Sequence, residues 1–349
     1  MKTVLSSNPY VGIDWGAIDR YKTCLHAHTT QSDGDYSVAE VIKKYHEKDY
    51  KILSITDHDN ISNAVIYPWT RYPKEGYTVD PEALGMLAVK GIELSNIDHI
   101  GSYFNDVILQ TSEEQALTDT QNSGGLSVFN HPGRYGRAPE WYTDFYKKYS
   151  SLVGMEVYNQ KDRYPKDRVM WDNVNALTMP GKTVWGLAGD DMHTSSHIYR
   201  CYQIMLMPEL TEQSFRKSFN SGAFYFCYEP EGSGDGLAPR INRVEATGTA
   251  ITLDCSDYSV INWITEGSET AGHGEKFNFS KRPEKFVRAE IVNARGKTYT
   301  QPFGLTQTEE PKRKTIFARV NGEVREVHNV WARTPGGAAE VTVNVKGEG

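Results

Sequence analysis

The sequence predicts an α/β protein: repeated strand–helix units around a mainly parallel sheet, open or closed into a barrel, followed by antiparallel β structure. Three observations lead there. From residue 20 to about 230, apolar strand-like runs alternate with amphipathic helical stretches. Histidines and acidic residues gather where several of those runs end, which is where α/β sheets carry their ligands. Past the Gly-rich stretch 231–238 the helical signals stop and short alternating runs take over.

The elements follow in order. Residues 21–28 read as a strand. Val38, Val41, Ile42 and Tyr45 fall at i, i+3, i+4 and i+7, the apolar face of a helix. Residues 51–56 and 86–93 are further strands, with 100–109 placed to pair beside the second. A helix from residue 112 ends at Ser123-Gly124-Gly125, and strands at 126–130 and 152–158 follow. A helix holding Trp171, Val174 and Leu177 ends at Pro180-Gly181. The strand 183–188, the helix 211–220 and the strand 223–228 complete the set. Segments 240–246, 250–254, 259–265, 286–293 and 297–301 then alternate like strands, with no helix between them. The tail carries hairpin signals at Asn321-Gly322 and Pro335-Gly336-Gly337. The expected division is therefore an α/β unit at 1–230, an antiparallel β module at 239–305 and a short β-hairpin tail at 312–349.

Composition excludes several classes. The chain is 38% hydrophobic and 24% charged, ordinary for a globular protein. A net charge of -7 leaves no basic footprint for nucleic acid. The longest apolar runs fall far short of a membrane span, and the first residues lack a signal-peptide core. Cys24, Cys201, Cys227 and Cys255 have no paired spacing and read as reduced core residues, so a cytoplasmic location is expected.

The chemistry is concentrated in three segments. His26 and His28 are two apart, which on a strand turns both imidazoles to one face, and Asp33-Gly34 follows. Thr56-Asp57-His58-Asp59 closes one apolar run, and Gly189-Asp190-Asp191-Met192-His193 closes another. His131 follows a fourth. Of 10 histidines, these five sit at or just after a strand-like run. Converging imidazoles and carboxylates are ligands for divalent metal, and this mixture suits Mn, Fe or Zn rather than Mg alone.

Together, His26-Ala27-His28, Ser32-Asp33-Gly34, Thr56-Asp57-His58-Asp59, Gly91-Ile92-Glu93, Asn130-His131-Pro132 and Gly189 to His193 resemble the successive motifs of the PHP (polymerase and histidinol phosphatase) family. The resemblance covers about residues 20–230. It implies a distorted (β/α)7 barrel holding two or three divalent ions. Carried over, it implies a first metal on His26, His28, Glu93 and Asp191, with Glu93 bridging to a second held by His131, and a third on Asp33, His58 and His193. The family's further ligand falls on the strand 152–160, where this chain offers Glu156 and Asn159. The resemblance points to a phosphoesterase and metalloesterase branch whose members often carry a β module after the barrel.

Such a site supports hydrolysis of phosphoesters, small phosphomonoesters or nucleotide-type phosphodiesters, by a metal-bound hydroxide. Arg134 is the expected phosphate clamp, since guanidinium meets phosphate with two hydrogen bonds; Arg163 and Arg200 are further candidates. His197 is a candidate general acid, and Asp57 or Asp59 a carboxylate that orients a metal-bound imidazole. His99 reads as structural. Tyr135, Trp141 and Tyr142 are candidate pocket aromatics. Two alternatives are a carboxyl or carbamate esterase on the same metals, and a metal-stabilised scaffold whose β modules bind a protein or surface partner. Two or more arginines facing the metals would favour phosphate; an apolar mouth would favour the ester.

Overall fold

The computed structural model describes residues 2–59 and 79–309, together with the strands Ile316–Val320, Glu323–Val327, Trp331–Thr334 and Gly337–Glu340. It is a mixed α/β protein, and the helices form where the sequence calls for them. In Val38–Glu47, Ser37 caps the first turn, its hydroxyl accepting from the Glu40 amide while the Glu40 carboxylate accepts from the Ser37 amide. That helix buries Val38, Val41, Ile42 and Tyr45, the face read from the spacing. Ser112 and Thr211 cap Glu113–Asn122 and Glu212–Ser221 with their hydroxyls, which accept from the amides of Gln115 and Ser214. In Asp167–Thr178 the buried face includes Trp171 and Val174, while Leu177 is exposed.

The strands make two main sheets. In the first, Asp19–Cys24, Ile52–Leu53 and Leu87–Ala88 run parallel. Cys201–Met207 pairs antiparallel with the other edge of Asp19–Cys24 and is followed by Phe224–Tyr228 and Lys297–Tyr299. The second sheet orders Gly91–Leu94, Ile100–Tyr103, Leu126–Phe129, Leu152–Asn159 and Trp185–Gly189. Its first two pairings are antiparallel and its last two parallel. Two isolated parallel bridges, Ala27 to Met192 and His58 to Glu93, join the sheets.

Several expectations are adjusted. The strand read at 86–93 is two strands, one in each sheet, because the chain passes from sheet to sheet at Val89-Lys90. The helix Pro139–Lys148 was missed, although Pro139 at its first turn is a start signal. The strand Cys201–Met207 was also missed.

The β segment after 231–238 does not stand apart, because residues 2–308 form one compact unit. Lys297–Tyr299 pairs with Phe224–Tyr228 and with Phe286–Val292. Phe303–Thr308 pairs with Lys2–Ser7 at the far edge of the sheet. Buried polar contacts bind the two parts. Arg288 donates from Nε and Nη2 to the two oxygens of Asp172, each at 2.7 Å. Gln301 makes both hydrogen bonds of its amide to the backbone of Gly186, each at 2.8 Å. The Tyr158 and Tyr299 hydroxyls meet at 2.8 Å. Val260–Ile264 pairs with Phe286–Val292 and with Thr270–His273, and Arg240–Ala246, Ala250–Ser256 and Lys276–Asn278 make a small separate sheet.

Residues 309–349 cluster as a second unit, containing the antiparallel pairs Ile316–Val320 with Glu323–Val327 and Trp331–Thr334 with Gly337–Glu340. The turn signals at 321–322 and 335–336 lie outside the described residues. All four cysteines are free, three of them buried. Among the described residues no helix is long and apolar enough to cross a membrane.

The Asp172–Arg288 pair gives a test of this architecture. Replacing Arg288 by Met leaves a buried carboxylate without its cation, and the expected loss is about 3–5 kcal/mol in denaturant unfolding. A chain ended at Pro230 should fail to give a cooperative transition. A soluble 1–230 fragment that unfolds cooperatively would show that the β segment is dispensable.

Candidate metal centre

The two bridges bring together the carboxyl ends of the parallel strands, and the side chains found there are imidazoles and carboxylates. Glu93 is fully buried at the centre. Its Oε1 lies 3.2 Å from His26 Nε2, 3.1 Å from His99 Nδ1 and 3.1 Å from His131 Nε2. Its Oε2 lies 3.4 Å from His28 Nε2 and 3.1 Å from His58 Nδ1. Asp191 Oδ1 sits 3.4 Å from His26 Nε2 and 3.2 Å from His28 Nε2. On the open side, Asp33 Oδ1 lies 3.2 Å from His193 Nε2, and Asp33 Oδ2 lies 3.7 Å from His58 Nε2.

Three groups of donors result, each compact enough for one ion: His26, His28, Glu93 and Asp191; His28, Asp33, His58 and His193; and His58, Glu93 and His99. The donor chemistry fits divalent metal. His26 and His28 point ring nitrogens at each other at 3.2 Å, and the buried Glu93 Oε2 and His99 Nδ1 make no hydrogen bond. The electrostatics agree. Burial pushes the Glu93 carboxyl up, but His26, His99 and His131 outweigh it and hold the group well below the usual carboxylate range. Burial lowers the His28 imidazole to about 4, which keeps it neutral and free to ligate.

Supporting contacts hold these side chains in place. His26 Nδ1 meets Glu156 Oε1 at 2.7 Å. Glu156 Oε2 accepts from the His131 amide at 2.9 Å and from Asn159 Nδ2 at 3.1 Å. Glu156 was expected as a ligand. Here its oxygens are engaged behind His26 and His131, where it orients an imidazole and a loop. Asn159 Nδ2 also donates to Asp191, while its buried Oδ1 has no partner. Gly189 is required beside this contact: a Cβ there would fall 1.7 Å from Glu156 Oε1. His131, Gln160 and Asp191 all have positive φ, at 28°, 51° and 42°. Such backbone strain is held only where neighbouring contacts over-determine it.

Asp57 was expected to act at the site and Asp57 or Asp59 to orient an imidazole. Asp57 instead accepts from the Thr29 amide and hydroxyl, each at 2.7 Å, and from Ser32 Oγ at 2.6 Å, pinning the loop that carries Asp33. Asp59 accepts from the Ser95 and Leu109 amides. Both carboxylates cap loops. Asp190, beside Asp191, accepts from the Tyr45 hydroxyl and from the amides of residues 199–201.

His99 was read as structural, yet it joins the cluster. The reason is topological. Ile100–Tyr103 runs antiparallel to Gly91–Leu94, so its beginning, not its end, lies at the metal edge. A search of strand ends alone passes over it. The Tyr135 hydroxyl accepts from the His99 amide at 2.9 Å, and Tyr142 is buried with its hydroxyl on Pro132 O, so these aromatics serve the scaffold.

The cluster opens into a cavity of about 530 Å³ whose lining, among the described residues, consists of polar or charged side chains. Arg134, Arg163, Gln160 and His197 line it alongside the donors, whereas Arg200 turns away to Ser196 O. The His193 amide meets His197 Nδ1 at 3.4 Å.

Comparison with known proteins agrees with this geometry. Residues 25–177 match the PHP domain. A relative from Shewanella loihica named as a probable phosphatase is 30% identical over 130 residues, 31% of this chain and 52% of the relative. The match therefore spans about half of that protein's length. A solved structure from Bacteroides vulgatus, described as a two-domain protein containing a predicted PHP-like metal-dependent phosphoesterase, superposes with a TM-score of 0.51 at 16% identity. That likeness covers 83% of this chain and 96% of the other, and shows a shared fold.

Gly189→Ala tests the role of Glu156. A methyl group there must displace the carboxylate from His26. Metal affinity should fall by about 10- to 100-fold, the usual effect of losing such outer support. Titration with Mn or Zn reads it; unchanged affinity would remove Glu156 from this role.

Proposed function

We propose that this protein is a metal-dependent hydrolase of small phosphoesters. One observation carries the choice among the esterase chemistries: among the described residues the side chains lining the cavity over the metal donors are all polar or charged, and two of them are arginines, Arg134 and Arg163, that form no ion pair with a described acid. An anionic substrate with several equivalent oxygens suits that lining, and a carboxyl ester does not.

In this reading His26, His28, Glu93 and Asp191 would hold one ion, and Asp33, His58 and His193 another. Glu93 reaches a further ion with His99 and His131. The two sheets with their connecting bridges are read as a distorted (β/α)7 barrel. Bound ions would supply Lewis acidity and an activated water, as paired divalent metals do in phosphoester hydrolysis. The chain's own residues do the rest. Arg134 and Arg163 bind phosphoryl oxygens and balance the charge that develops there. Gln160, buried at the cavity floor, donates from Nε2 to Asp191 Oδ2 at 3.1 Å and so steadies a ligand. His197 lies at the rim, where burial lowers its imidazole from the ordinary value. It is therefore neutral near pH 7 and suited to hydrogen bonding with the leaving group rather than to carrying charge.

Protein purified without chelator should hold about two to three equivalents of Mn, Fe and Zn combined by elemental analysis. Less than about half an equivalent, with none regained on adding metal, would end the proposal.

Substrate class is tested with p-nitrophenyl phosphate, bis-p-nitrophenyl phosphate and p-nitrophenyl acetate. Hydrolysis of a phosphoester with little turnover of the acetate is expected. Glu93→Gln should lower activity by at least about a hundredfold, and more than Asp33→Asn, because Glu93 serves more than one ion. Equal, mild effects would break the ligand assignment.

A further inference from the structure

Asp167, at the start of the helix Asp167–Thr178, is fully buried and forms no ion pair among the described residues. It contrasts with Asp172 five residues on, which holds Arg288 with both oxygens. Asp167 Oδ1 accepts a single hydrogen bond, from the Gly133 amide at 2.5 Å, and Oδ2 has no partner. Burial pushes this carboxyl up to about 8. A buried acid with one hydrogen bond is costly to keep. Its value lies in what that bond joins.

Gly133 stands between His131 and Arg134. The loop around it is closely held: the His131 amide is bound by Glu156, Arg134 N donates to His131 O at 3.0 Å, and the Tyr142 hydroxyl donates to Pro132 O. On its other side, the amide of Asp167 donates to Tyr164 O at 3.0 Å, one residue past Arg163. Asp167 therefore hydrogen-bonds to both loops that bring arginine to the cavity. The fit is tight as well: a Cβ on Gly133 would lie 2.4 Å from Asp167 Oδ1 and 3.1 Å from Tyr164 Cβ.

We propose that Asp167 is a positioning residue that sets the spacing of Arg134 and Arg163 across the cavity, and thereby the affinity for the phosphoryl group. The proposal rests on the reading of those arginines as the phosphate clamp. Asp167 touches no metal donor, so its removal should misplace the clamp and leave the metals in place.

The test uses the metal-loaded full chain, p-nitrophenyl phosphate as substrate and inorganic phosphate as competing ligand. Asp167→Ala should raise KM and the phosphate inhibition constant by about tenfold, with kcat within about threefold and metal content unchanged. Asp167→Asn keeps an acceptor oxygen for Gly133 and should stay within about threefold of the parent on both constants. Gly133→Ala presses on the same contact from the other side and should reproduce the Asp167→Ala effect. Should Asp167→Ala fail to fold, Gly133→Ala and Asp167→Asn carry the same comparison. Unchanged KM in Asp167→Ala or Gly133→Ala overturns the proposal, as does metal loss, or an Asn variant as impaired as the Ala variant. Arg134→Ala separates the two levels. If it leaves both constants unchanged, the clamp reading falls and this proposal with it. If it raises both while Asp167→Ala does not, only the positioning role falls.

Discussion

Glu93 is a carboxylate with no access to water, and such a group is stable only where donors or positive charge surround it. Here they come from separate parts of the chain. His26 follows one strand of the first sheet and His58 another. His99 precedes the second strand of the other sheet, and His131 and Asn130 follow its third. Asn130 Nδ2 adds a hydrogen bond at 2.8 Å. The need to compensate this one charge constrains how the two sheets approach. The bridge between His58 and Glu93 lies at the point where that constraint is met. Divalent ions in the same place would meet the same need with far greater strength, which ties metal affinity to the relative placement of the sheets.

The second organising feature is the way the β segment completes the first sheet. Lys297–Tyr299, which follows 231–238 in sequence, pairs directly with Phe224–Tyr228. Tyr299 stacks on Phe226 with ring centroids 5.0 Å apart and meets the Tyr158 hydroxyl. Phe226 and Tyr158 are core residues of the α/β part, so a single packed interior serves both. The metal edge is thus supported from behind by residues far downstream that never approach the cavity.

Much of this was legible in the residues. The buried face of the first helix follows from periodicity, and the histidines and acids at strand ends are visible in the residues themselves, whereas Glu93 and the grouping of the donors come only from the resemblance to the PHP family. The helix at Val38–Glu47 agrees in its start, its face and its cap. Apart from the helix Pro139–Lys148, what escaped depended on long-range pairing. Nothing local distinguishes His99, because its place at the metal edge follows from an antiparallel neighbour. Glu156 and Asn159 lie on one strand near the cluster, and only three-dimensional packing shows that Glu156 faces the back of His26. Asp57 and Asp59 flank a donor histidine, yet their partners are backbone amides of loops distant in sequence. The change in pattern at 231–238 is real, but a change of pattern is not a break in packing. Glycine there turns the chain from Phe224–Tyr228 in the main sheet to Arg240–Ala246 in the small one, with φ of 75° at Gly234 and 69° at Gly236.

The pairing of Lys2–Ser7 with Phe303–Thr308 bears on how the molecule comes into being. Lys2 lies opposite Thr308 in the register, so this strand stays without its neighbour through the synthesis of almost the whole compact unit. The Arg288 guanidinium that neutralises Asp172 arrives nearly as late. An amino-terminal half folding ahead of the rest would leave Lys2–Ser7 unpaired and Asp172 without its guanidinium. Its unpaired strand edges and buried acids remain open to solvent until late in translation, the interval in which a nascent chain depends most on protection from aggregation.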